Sequence, residues 1–215
     1  MRKQAAAPEG PRATDWPDRM TGSDSKKPPQ GSAPAQRRLR RTVALVGMMG
    51  SGKTAVGKAL AARLGAQFLD SDAAIEEAAK ATIPEIFARD GESFFRDREA
   101  EVIARLLSGP PVVLSTGGGA FMADRNREAI ARAGVALWLD ADLDTLWERV
   151  RHKDSRPLLR TSDPKGTLAE IYERRVPVYR LAGLHVRSEP GCSVEETASR
   201  ALSVLATRPD ILESP

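Results

Sequence analysis

Gly47-Met48-Met49-Gly50-Ser51-Gly52-Lys53-Thr54 sets three glycines, a lysine and a hydroxyl at the spacing G-x-x-x-x-G-K-[ST]. Glycines at these positions let the backbone curl until successive N–H groups converge on an anion. A helix starting at the lysine adds the positive end of its dipole. At this spacing a lysine reaches the β- and γ-phosphates of a nucleoside triphosphate, and the following hydroxyl reaches Mg²⁺. The context fits, because TVALV (42–46) reads as a strand and 53–64 as a helix. This segment is predicted to hold a nucleoside triphosphate.

Three more stretches carry chemistry. In FLDSDAAIEEAA, Asp70 and Asp72 flank Ser71 where a short strand turns into a helix, the end of an open α/β sheet at which ligands collect. Two carboxylates there suit phosphoryl transfer, which needs Mg²⁺ ligation and a group that orients or deprotonates the attacking hydroxyl; either could instead cap the helix. In ESFFRDREAEVIARLL, Phe95, Val102, Ile103 and Leu106 form an apolar stripe with Arg96 on the same side. An arginine so placed requires an anion, internal or from a ligand. Arg98 and Arg105, within reach of Glu101, read as solvated. By the same test Arg175 shares a face with Leu168, Ile171, Tyr172 and Tyr179, whereas Arg174 does not. Pro177 is expected to interrupt that helix. In VVLSTGGGAFM a strand runs into Gly117, Gly118 and Gly119, which permit close approach of backbone to a ligand.

Elements that could position these groups follow from the periodicity. Strands are predicted at 42–46, 67–69, 112–115, 135–139 and 184–187. Helices are predicted at 53–64, 72–80, 83–89, 92–107, 124–132, 142–152, 166–182 and 194–206. Short, wholly apolar strands alternating with helices indicate a parallel sheet covered on both faces, a three-layer α/β domain. The polar, proline-containing stretch 152–166 is a candidate lid.

The net charge of +4 is unevenly spread. Residues 1–41 carry ten Lys/Arg and four Asp/Glu, so the remaining 23 and 25 leave residues 42–215 at −2. The first 41 residues, rich in Ala, Pro, Gly and Ser, read as a disordered basic tail. A folded domain is expected over 42–207, with a C-terminal tail over 208–215. The tail's acids (Glu9, Asp15, Asp18 and Asp24) make it a poor transit peptide. No apolar run approaches the roughly 20 residues that span a bilayer. The single Cys192 suits a reducing compartment and reads as structurally bland. His152 and His185 lack metal-ligand spacing. A cytoplasmic location is expected.

Taken together, GMMGSGKT, LDSD, FRDRE, STGGG, SRPLL and RRVPVY, in order and register from residue 43 to about 190, resemble the shikimate kinase family. The resemblance implies a nucleoside-monophosphate-kinase-like P-loop fold with a five-stranded parallel sheet ordered 2-3-1-4-5. It implies transfer of the γ-phosphoryl of ATP to the 3-hydroxyl of shikimate, on the route to chorismate and the aromatic amino acids, with Mg²⁺ as cofactor. It assigns ATP binding to Gly50, Ser51, Gly52, Lys53, Thr54 and Ala55, with Arg149 against the adenine and Arg156 as the lid arginine. Thr54 resembles the metal ligand, with Asp70 and Ser115 reaching Mg²⁺ through water. Asp72 matches the base, with Lys53 and Arg156 also catalytic. Arg96 and Arg175 match the carboxylate pair, and Gly117, Gly118 and Gly119 the substrate loop. Shikimate and ATP are then the partners of a monomer, without nucleic acid or membrane. The rival readings are another small-metabolite P-loop kinase, such as a gluconate kinase, and a nonenzymatic nucleotide or nucleic-acid binding module that uses the basic tail.

Overall fold

Alternate residues of TVALV face opposite ways, and each finds its own apolar layer. The structure, a computed structural model, describes residues 38–152, 157–159 and 161–213. Five parallel strands, β1 (Thr42–Val46), β2 (Phe68–Asp70), β3 (Val113–Ser115), β4 (Gly134–Asp140) and β5 (Leu184–Arg187), pair in the order β2-β3-β1-β4-β5. The predicted sheet order is thus observed.

On one face Val43, Leu45, Val135 and Leu137 pack with Val56, Leu60 and Leu64 of α1 (Lys53–Leu64) and Ala198, Ala201 and Leu205 of α7 (Val194–Leu205). On the other, Ala44, Val46, Leu114 and Trp138 meet helices α3 (Ile83–Leu107), α4 (Asp124–Ala133), α5 (Leu143–Val150) and α6 (Pro164–Tyr179). Burial on both faces is why these strands read as unbroken apolar runs. A smaller cluster of Ile75, Ile86, Phe95 and Val102 joins α2 (Ser71–Ala79) to α3.

The long α3 is two helices in series. Gly91 sits at φ 83°, ψ 172°, outside helical geometry, so the predicted break between 89 and 92 is present. A capping box of Thr82 and Glu85 starts the first segment. Pro177 does not interrupt α6 as expected. The helix runs through it to Tyr179, with the proline on the exposed side and only two residues from the end. The missing N–H forgoes one bond, to the carbonyl of Glu173, an exposed residue whose carbonyl solvent can satisfy.

The expected edges at 42 and 207 both fall short. Leu39 bridges Leu212, the Arg40 amide donates to the Ile211 carbonyl (2.8 Å) and the Glu213 amide to the Arg38 carbonyl (3.0 Å). Arg41 donates to the carbonyls of Ala131 and Arg132 at the end of α4. Ile211 and Leu212 lie in the core beside α1 and α7. Residues 38–41 and 208–213 therefore belong to the packed domain; the predicted tail's first 37 residues lie outside the described residues. Among the described residues no helix is long and apolar enough to cross a membrane.

Candidate active site

The turn after β1 has the backbone its glycines allow. Gly47, Gly50 and Gly52 adopt φ of 139°, 82° and 91°, a region closed to most side-chain-bearing residues. At Gly50 a β-carbon would also lie 2.7 Å from Val150 Cγ1. Gly52 provides no side-chain cap for α1, and the first turn of α1 contains no acidic residue. The leading N–H groups are thus left to an anion from outside. Lys53 lies over its own loop, donating to the carbonyls of Gly47 and Met48 (2.9 Å each). Among the described residues the buried Ser51 hydroxyl has no hydrogen-bond partner.

Asp70, at the end of β2, does two things at once. Its Oδ1 accepts from the amides of Asp72 (3.0 Å) and Ala73 (3.4 Å), capping α2, and its Oδ2 accepts from Thr54 Oγ1 (3.0 Å). Parallel pairing sets Ser115 of β3 opposite Asp70. The cap is therefore Asp70, which leaves the half-buried Asp72 to other uses. Burial, then the neighbouring charge of Asp70, push the Asp72 carboxyl up to about 6, with Lys53 pulling the other way and Glu99 and Glu76 adding to the rise. Carboxylate and hydroxyl oxygens of Asp70, Thr54 and Ser115 form a hard donor set that suits Mg²⁺.

Each glycine after β3 faces a different charged side chain. A β-carbon on Gly117 would lie 2.5 Å from Asp72 Oδ1; on Gly118, 3.4 Å from an Arg175 nitrogen; on Gly119, 2.7 Å from an Arg96 nitrogen. Three successive positions without side chains let one acid and two arginines converge on a single turn. The stripe on α3 also hides Glu99, which the sequence analysis did not single out. It is only 1% exposed and accepts from Arg96 at 2.9 Å, while the exposed Glu92 accepts from the same guanidinium at 3.2 Å. Burial raises the Glu99 carboxyl, and Arg96 opposes that rise. The anion that Arg96 required is thus internal. Glu99 lies four residues after Phe95 and four before Ile103, a spacing that could have marked it as inward-facing. Arg98 pairs with Glu101 (2.7 Å), yet it is less solvated than expected, since its Nε is buried and its guanidinium lies over Phe94.

The P-loop, Asp70, Asp72, Ser115 and Gly118 share one cleft of about 460 Å³. Its far wall holds Arg149, which donates to the buried Ser188 hydroxyl (3.2 Å) and to the Gly50 carbonyl (3.4 Å). Ser188 and Cys192, the latter read from the sequence as structurally bland, also line this wall. Arg96, Arg175, Gly117 and Gly119 stand beyond the cleft lining, on the other side of Gly118. Arg156 lies outside the described residues.

A triphosphate cradle at the carboxyl end of a 2-3-1-4-5 parallel sheet, opening past a triple glycine onto two arginines, defines a small-molecule P-loop kinase. Comparison with known proteins narrows the class. The family model for shikimate kinase matches residues 49–206. A shikimate kinase of Ruegeria pomeroyi is 61% identical over 190 residues, covering 88% of this chain and 96% of the relative, and one of Cereibacter sphaeroides is 62% identical over 177 residues, covering 82% and 88%. The chain belongs to the shikimate kinase family. Among solved structures, shikimate kinase from Acinetobacter baumannii in complex with shikimate superposes with a TM-score of 0.74 at 38% identity, over 78% of this chain and 93% of that one. A gluconokinase from Sinorhizobium meliloti (TM-score 0.53, 22% identity, 79% of this chain and 94% of that one) shares the fold alone.

Proposed function

We propose that the protein transfers the γ-phosphoryl group of ATP to the 3-hydroxyl of shikimate, giving shikimate 3-phosphate and ADP on the route to chorismate. The observation that carries the reading is the meeting of Asp72, Arg175 and Arg96 on Gly117, Gly118 and Gly119. A carboxylate-bearing acceptor uses all three side chains, whereas gluconate kinases share the P-loop and the aspartate without the set.

The triphosphate occupies the loop 47–54, its oxygens facing the uncapped amides of α1 and the Lys53 ammonium, which leaves its own carbonyls for the phosphates. Arg149 on the cleft wall takes the adenine side. Arg96 and Arg175 grip the acceptor carboxylate, with Glu99 holding the Arg96 fork in place. Gly119 donates its amide to a ring hydroxyl. Asp72 orients the reacting hydroxyl and accepts its proton as the new O–P bond forms; the bond to the bridging oxygen breaks and ADP departs with its electrons. Its raised carboxyl remains ionised above pH 6 while staying basic enough to take a proton. Thr54, with Asp70 and Ser115 through water, would hold the Mg²⁺, which supplies charge neutralisation on the phosphates. Arg156 completes the phosphate contacts on lid closure. The same reading makes the enzyme a cytoplasmic monomer.

Coupled ADP release with shikimate, gluconate and nucleoside monophosphates in parallel tests the substrate. Shikimate should support turnover at least about 100-fold faster than the others, a margin set by leaving the Arg175 and Arg96 donors that face the acceptor without its carboxylate. Comparable rates with gluconate or a nucleotide would overturn the assignment.

A further inference from the structure

Among the described residues Tyr179 is the largest fully buried side chain, and a phenol needs a polar partner in such a place. Its hydroxyl donates to the Gly118 carbonyl, the middle peptide of the triple glycine. Its ring is held between Trp138 of β4 (centroids 6.1 Å apart) and Phe121 (6.5 Å). One turn earlier on α6 stands Arg175, whose charge acts on the same phenol. An Arg175 nitrogen would in turn come within 3.4 Å of a β-carbon at Gly118. Gly118 also borders the P-loop, with the Met49 amide 3.5 Å from that β-carbon position.

We infer that Tyr179 is a positioning residue for the acceptor site: its hydroxyl occupies the Gly118 carbonyl and so keeps the Arg175 guanidinium turned toward the acceptor carboxylate. Without the hydroxyl, the half-buried carbonyl loses its donor, and Arg175, beside Gly118, is a cation able to replace it. An Arg175 turned onto Gly118 is lost to the carboxylate. Burial pushes the phenol up to about 12, against the pull of Arg175, so it remains a neutral donor across the working range. The P-loop has its own backbone and lysine contacts, so the nucleotide side is spared. This inference rests on the placement of the acceptor carboxylate at Arg96 and Arg175 proposed above.

Steady-state kinetics of Tyr179→Phe and Trp138→Phe, with Arg175→Lys as reference, separate the possibilities. Tyr179→Phe keeps the ring and should raise the KM for shikimate about tenfold, the reach of one buried hydrogen bond. The KM for ATP should stay within about twofold, and the ratio to the parent enzyme should not vary between about pH 7 and 9, well below the phenol's titration. Trp138→Phe loosens the ring but keeps the hydroxyl, so its shikimate KM should stay near the parent value even if its melting temperature falls. An unchanged shikimate KM in Tyr179→Phe, while Arg175→Lys raises it, overturns the inference and leaves the functional reading standing. A shikimate KM raised about tenfold by Trp138→Phe, which keeps the hydroxyl, assigns the effect to packing and also overturns it, a readout that holds even if Tyr179→Phe fails to fold. No effect of Arg175→Lys removes the functional reading on which the inference rests.

Discussion

Asp72 shows what a residue's surroundings add to its sequence position. The DSD pattern was legible because Asp70 and Asp72 lie two apart at a strand end, but the division of labour between them was not. Only the folded chain shows that Asp70 accepts both the α2 amides and the Thr54 hydroxyl. Asp72 is left beside buried charge, with its carboxyl pushed up to about 6. In the proposed mechanism the ionised form is the base, so activity should be full above that value and fall with acid. In a pH series kcat/KM for shikimate is expected to drop about tenfold per pH unit below about 6, rather than below the ordinary carboxylate range near 4. A profile flat to pH 5 would contradict this placement of Asp72. Glu99 illustrates the opposite case. In sequence the charges of Arg96, Arg98 and Glu101 around it obscure its four-residue spacing from Phe95 and Ile103, whereas the fold turns it under Arg96.

At the scale of elements, the strands and helices were legible because periodicity is local. Thr42–Val46 and Lys53–Leu64 begin and end where their patterns do. The meaning of the triple glycine was not, because it depends on side chains delivered by α2, α3 and α6 from far along the chain. Gly117→Ala probes that convergence. A β-carbon 2.5 Å from Asp72 Oδ1 must displace the carboxylate, and a misplacement of about 1 Å in a reacting group costs on the order of 100-fold in turnover. ATP affinity, read by titration calorimetry, should change by less than about twofold, since the P-loop is untouched. Parental turnover would show that the turn tolerates a side chain and that close approach is not its purpose. The expected interruption at Pro177 is absent for a related reason: a proline's cost depends on what its ring and missing N–H face, and here that side of α6 is exposed.

At the scale of the molecule, the two ends of the described chain close against each other. Leu39 stands alone and Ile211-Leu212 is an isolated apolar pair among charged and turn-forming neighbours, so no periodic pattern marks them, and the Leu39–Leu212 pairing spans almost the whole fold. This is why edges set from composition fell short. Leu212 is 2% exposed within the α1–α7 layer, so Leu212→Ala should lower the unfolding free energy by about 2–4 kcal/mol, seen as a lower urea midpoint. An unchanged midpoint would contradict the burial of this segment. The closure lies at the end of the sheet opposite the cleft, so turnover of the folded variant should be retained.

The account as a whole depends on Asp72 acting in the transition state, and Asp72→Asn tests this in one comparison. Asparagine keeps the size and much of the hydrogen-bonding capacity but cannot accept the proton. Single-turnover ADP formation at saturating shikimate should fall by about 10²–10⁴-fold. Calorimetry on the same variant should show shikimate and ATP still binding, since Arg96, Arg175 and the P-loop are unchanged. A retained rate, or lost binding with unchanged chemistry, would contradict the account.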